Sequence, residues 1–144
     1  MKFNLVILLV VFGNIINSQK EITWKDLECD FDEIWNEEYQ SIILKPKFLE
    51  KQLNLDLQEV EIEGIIVEID LIDSISYVLC AESYTLKVCS FGAGGPDKVI
   101  ELQFKELPKN FKFDDKCKVK GTLHLNSDNI LKLTYTLENV EIRQ

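Results

Sequence analysis

Lys116-Cys117-Lys118-Val119-Lys120-Gly121-Thr122-Leu123-His124-Leu125 is the stretch that decides the fold. Cys117, Val119, Gly121, Leu123 and Leu125 alternate without a break against Lys116, Lys118, Lys120, Thr122 and His124. A period of two puts one set in a core and the other in water, as in a half-buried antiparallel strand. Asp114-Asp115 turns the chain into this strand. Asn126-Ser127-Asp128-Asn129 leads out of it towards Leu131, Leu133, Tyr135 and Leu137, which predicts a hairpin. A change of phase at Asn139 then carries the pattern into Val140 and Ile142.

Upstream, Val60, Ile62, Gly64 and Ile66 alternate with Glu59, Glu61 and Glu63, after which Ile65, Val67, Ile69 and Leu71 form a second apolar set. A glycine at such a slip predicts a bulge or sharp bend within one long strand. Ile75 to Cys80, Leu86 to Phe91 and Lys98 to Phe104 read as further strand segments. The expectation is a mainly all-β fold: a small, five-stranded, partly open barrel of the OB-fold type over residues 57–144, with a β-sandwich as the alternative.

Residues 19–56 read as a short helical N-terminal extension packing on the barrel. Thr23 and Asp26 form an acidic capping pattern. Trp24, Leu27, Phe31, Ile34 and Trp35 recur at helical spacing. Pro46 holds Lys45 extended, and Phe48 to Leu55 supplies another short amphipathic turn.

Residues 1–18 have the plan of a secretory signal peptide: Lys2, the apolar run Leu5 to Phe12, a Gly13-Asn14 break and a small residue, Ser18. The run is too short to cross a bilayer, which takes about 20 apolar residues. The expected location is periplasmic or extracellular, with no membrane span once the signal is removed. The whole chain carries 25 acidic and 16 basic residues, a net charge of −9. That balance argues against nucleic acid, whose phosphates need a basic footprint.

Candidate sites are few. Gly92-Ala93-Gly94-Gly95-Pro96-Asp97 is the best loop, because glycines let backbone approach a ligand closely. With Cys89 beside it, a ligand-binding set of Cys89, Gly92, Gly94, Gly95, Pro96 and Asp97 is expected. It is not a phosphate-loop or dinucleotide fingerprint, and a tight inter-strand loop is the plain alternative. Of four cysteines, Cys80 and Cys89 could meet on neighbouring strands as a disulfide or half a metal site. With His124 as the single histidine and no close cysteine pair, a structural zinc site is not expected. No hydrolytic triad or nucleophile elbow accompanies His124. No cofactor is expected, and the chain does not read as an enzyme.

Several blocks stand together in order: Trp24-Lys25-Asp26-Leu27, Pro46-Lys47-Phe48, Val60-Glu61-Ile62-Glu63-Gly64 and Gly94-Gly95-Pro96-Asp97-Lys98-Val99-Ile100-Glu101-Leu102. Val119-Lys120-Gly121-Thr122-Leu123 and Leu133-Thr134-Tyr135-Thr136-Leu137-Glu138 follow. With them the chain resembles a family of uncharacterised exported OB-fold-like proteins from flavobacteria and their relatives. The resemblance implies an OB-like domain outside the cytoplasm and supplies no activity. That family carries two nearby cysteines before the glycine loop. This chain has Cys89 alone there, which weakens the case for paired-thiol chemistry. The expected function is therefore an exported, non-catalytic binding or accessory module for an envelope protein or small ligand. The alternative is a thiol- or metal-dependent envelope protein using Cys80 and Cys89.

Overall fold

The structure, a computed structural model, describes residues 19–71, 73–82, 95–112 and 115–143. Its elements in chain order are β1 (Lys20–Glu21), α1 (Trp24–Leu27), β2 (Asp30–Asn36), β3 (Ser41–Lys47), α2 (Glu50–Leu53), β4 (Glu59–Leu71) and β5 (Ser74–Cys80). A 3₁₀ turn (Pro96–Lys98), β6 (Val99–Phe104), β7 (Lys116–Leu125) and β8 (Tyr135–Arg143) follow. Residues 1–18, expected to be a signal peptide, and the strand expected over Leu86 to Phe91 lie outside the described residues.

β4 is the strand that makes a ring. Its first part, Glu59–Ile65, pairs with β7, and its second part, Ile65–Leu71, pairs with β5. The order β4-β5-β6-β8-β7 therefore returns to β4. All of these pairings are antiparallel except β6–β8, which is parallel. This is a closed five-stranded barrel of OB type, not a sandwich, and it is more fully closed than the partly open barrel expected.

Gly64 stands where β4 changes partners. A Cβ there would lie 2.7 Å from the Cys80 carbonyl oxygen and 2.8 Å from Leu79 Cγ. The expected change of phase comes just past the glycine, after Ile66, where Val67 and Ile69 are more covered than the exposed Glu68 and Asp70. Val60, Ile62 and Ile66 stay buried on one side straight through the glycine, so Gly64 marks a close crossing of backbones and not a bulge. The bulge sits in β8 instead. Between Lys120 and Thr122 the β7–β8 register shifts, opposite Asn139, whose φ is 53°. Asparagine tolerates this left-handed conformation better than most residues. β7 is as the alternation predicts, with Val119, Gly121 and Leu123 buried. β8 begins only at Tyr135. Leu131 is 76% exposed, in a loop held by Asn126, whose Nδ2 donates to the Asn129 carbonyl (2.7 Å).

The extension packs on the barrel. β1 adds to β4 in parallel, the Ile22 amide donates to the Glu61 carbonyl (2.9 Å), and Trp24 Nε1 donates to the Glu63 carbonyl (2.7 Å). Leu27 and Leu55 are buried in the same core as Val60, Leu79, Ile100, Leu123 and Leu137. The short turn expected near Phe48 to Leu55 is α2. The longer helix expected through Trp35 is not formed. α1 stops at Leu27, and Asp30–Asn36 and Ser41–Lys47 make an antiparallel hairpin. Among the described residues, no helix is long and apolar enough to cross a membrane.

Candidate functional site

The described end of the glycine loop is folded into the molecule. Gly95 has φ 87°, and a Cβ there would lie 2.9 Å from Asp97 Oδ1. Asp97 is only 9% exposed. Lys98 Nζ lies 2.7 Å from Glu28 Oε1 and 3.9 Å from Asp97 Oδ2, and this lysine holds the Glu28 carboxyl below its ordinary range. Beside it, the buried Tyr135 hydroxyl donates to the Leu27 carbonyl (2.6 Å) and lies 3.8 Å from Cys29 Sγ. Burial raises the pKa of both the phenol and the Cys29 thiol. Gln52, fully buried, donates to the carbonyls of Asp26 (3.0 Å) and Glu28 (2.8 Å) and accepts from the Leu49 amide (2.9 Å). Gly95, Pro96 and Asp97 thus belong to a clasp that fastens α1 to the barrel. Cys89, Gly92 and Gly94 lie outside the described residues.

Cys29, Cys80 and Cys117 carry free thiols. Cys80 is buried, and burial pushes its thiol up to about 11. Desolvation likewise raises Cys117. Cys80 stands opposite Ile65 and Cys117 opposite Gly64, on the two strands that flank β4. The bridge from Cys80 to Cys89 has one partner outside the described residues. His124 Nε2 lies 3.0 Å from Glu138 Oε2. Among the described residues, no three Cys, His, Asp or Glu side chains are grouped to hold a metal ion.

The lysine stripe of β7 is matched carboxylate for ammonium. Lys116 pairs with Glu63 (2.5 Å), Lys118 with Glu21 (2.8 Å) and Glu61 (3.5 Å), and Lys120 with Glu59 (2.9 Å). A face so neutralised offers little to phosphates.

What the sequence reading missed is the β2–β3 hairpin. Residues paired across antiparallel strands share a face, so Trp35 with Ile42, Glu33 with Leu44 and Phe31 with Pro46 lie on one side. There Trp35 is 53%, Ile42 58% and Leu44 48% exposed, with Tyr39 exposed at the tip. The other side bears Ile34, Ile43 and Lys45, which together with Leu44 and Pro46 line a groove of about 340 Å³ shared with the 126–134 loop. Lys45 Nζ reaches Asp128 Oδ1 there (3.4 Å). Among the described residues, β2 and β3 pair only with each other. The available signals were the β-branched Ile42-Ile43 pair and Asn36, whose Oδ1 accepts from the Tyr39 amide (3.0 Å) to set the turn.

No family model matches the chain, and no curated protein does. Among solved structures, it is similar to the crystal structure of a DUF3299 family protein from Pseudomonas aeruginosa PAO1. The TM-score is 0.55 at 14% identity, covering 88% of this chain and 97% of that one. At that identity the likeness speaks for the fold. The five-stranded barrel and this neighbour fit an uncharacterised family with an OB-like fold.

Proposed function

We propose that the chain is an exported, non-catalytic binding module whose β2–β3 hairpin docks a partner protein in the periplasm or outside the cell. The observation that carries this reading is the apolar face of Trp35, Ile42 and Leu44, presented to solvent on a hairpin that the core does not need. Exposed aromatic and aliphatic residues gathered on one face mark interaction surfaces, whereas single ones are ordinary. Asp30, Asp32, Glu33, Glu37 and Glu38 outweigh Lys45 and Lys47 along the same hairpin. The matching partner surface is therefore apolar with a basic rim. Among the described residues the outer edges of β2 and β3 have no strand partner, which also suits the addition of an extended strand. The leader-like residues 1–18, and the resemblance to exported flavobacterial proteins, support the location.

The test compares the wild-type chain with a Trp35→Ser/Ile42→Ser variant in quantitative capture from the envelope fraction, with sedimentation run alongside. Both positions are exposed, so the variant should fold normally. The expected result is a protein retained by the wild type, bound again when purified, and lost with the variant. Retention of the same proteins by both forms would remove the hairpin from the reading. So would a wild-type dimer that the double substitution dissolves, since the face would then meet a second copy.

A further inference from the structure

At one end of the barrel, β6 and β8 finish and β7 begins. The connection from β6 to β7 passes here, and its described residues 105–112 form no helix or strand. Between this segment and the strand ends lies a groove of about 610 Å³, lined by Pro108, Phe111, Cys117, Val140 and Ile142 among others. Its volume falls within the roughly 300–1,000 Å³ typical of small-molecule sites, and the mouth of a β-barrel is one of their usual positions. Phe111, Cys117 and Ile142 are partly buried hydrophobics packed against the barrel core, so the floor is continuous with the interior.

The rim has an unusual charge for this molecule. Residues 105–112 carry Lys105, Lys109 and Lys112 against Glu106 alone, in a chain where acids outnumber bases 25 to 16. Lys116, Lys118 and Lys120 are each matched by a carboxylate. Among the described residues, Lys105 and Lys109 take part in no ion pair. Arg143, also on the rim, is engaged by Glu61 (3.5 Å) and Gln19 (3.3 Å). Glu106 and Glu141 line the groove as well. The lining thus carries three basic groups, Lys105, Lys109 and Arg143, against two carboxylates, an excess of one that suits a single negative charge better than the two or more of a phosphate.

We propose that this groove binds an amphiphilic monoanion, a carboxylate with an aliphatic or aromatic body. The head group would sit between Lys105 and Lys109, and the body over Phe111, Cys117 and Ile142. This site is separate from the hairpin and stands or falls without it.

Calorimetric titration of the full chain with dodecanoate, below its micellar concentration, tests the proposal. Acetate and dodecyltrimethylammonium serve as controls. The expected result is saturable one-to-one binding of dodecanoate, at least tenfold weaker in a Lys105→Glu/Lys109→Glu variant and for the cationic amphiphile, with none for acetate. Bound dodecanoate should also slow alkylation of Cys117. The Trp35→Ser/Ile42→Ser variant should bind dodecanoate unchanged. Absence of saturable binding, equal affinity for the two head groups, or indifference to the lysine substitutions would overturn the assignment. Loss of binding in the hairpin variant would also overturn it, because the apolar chain would then be held elsewhere.

Discussion

Tyr135, at the start of the last barrel strand, donates its hydroxyl to the carbonyl oxygen of Leu27 at 2.6 Å, and so bonds the barrel to the first helix of the extension. Both residues are fully buried. Tyr135→Phe keeps the ring against Phe48 (centroids 5.8 Å apart) but leaves the carbonyl without this donor. An unsatisfied buried acceptor costs about 1–3 kcal/mol. Urea unfolding should show a loss of that size with an unchanged slope.

Gly121 and Gly64 are each sites of close backbone approach. A Cβ on Gly121 would lie 2.6 Å from the Glu138 carbonyl oxygen and 2.8 Å from Leu137 Cγ. Since backbone must move, Gly121→Val should destabilise by at least about 1–3 kcal/mol, and Gly64→Ala should act in the same direction. An unchanged melting temperature for either would mean that the strands do not cross so closely.

Asp26 supplies a pH signature. Its carboxylate accepts from the Thr23 amide (2.7 Å) and hydroxyl (2.9 Å), and the backbone bond is the main reason its pKa is lowered. A depressed carboxyl adds stability above its unfolded pKa and loses that contribution as pH falls through the folded value. Asp26→Asn should therefore lower stability at neutral pH and flatten the acid-side decline below about pH 4. Thermal melts from pH 2 to 7 read both effects. The side chain is partly exposed, so the change should be small.

Cys80, with its thiol raised to about 11, should resist iodoacetamide at pH 8 in the native protein and react on unfolding. Half-buried Cys117 should react sooner. Mass spectrometry of timed samples distinguishes the two. Rapid native modification of Cys80 would revive the thiol-dependent reading.

Legibility in the sequence followed burial. β7 was clear because a buried and a wet face alternate along it, and Asn139 was found because its break in phase is a real bulge. The hairpin was missed because neither face enters the core. Trp35, Ile42 and Leu44 are exposed on one side, while Ile34 and Ile43 border only a loop. Without a dry side, Asp30–Asn36 shows no period of two, and Trp24, Leu27, Phe31, Ile34 and Trp35 fall by chance on a helical spacing. Leu131 misled for the opposite reason, as an apolar residue at the expected parity that stands in solvent. The glycine loop was singled out on composition. Its described end is occupied in holding α1, a role visible only once Asp97, Lys98 and Glu28 are brought together.

A nascent chain meets the double use of β4 as a problem of timing. Ile65 onward can zip to β5 as soon as that strand emerges. Glu59 to Gly64 must wait for Lys116 to Thr122, with all of β5 and β6 made in between. Until then the first half of β4 has one edge, the one β7 will take, whose amides and carbonyls are unanswered, β1 covering only part of the other. A product cut short before β7 would keep that sticky edge for good, making premature termination a greater hazard here than most single substitutions.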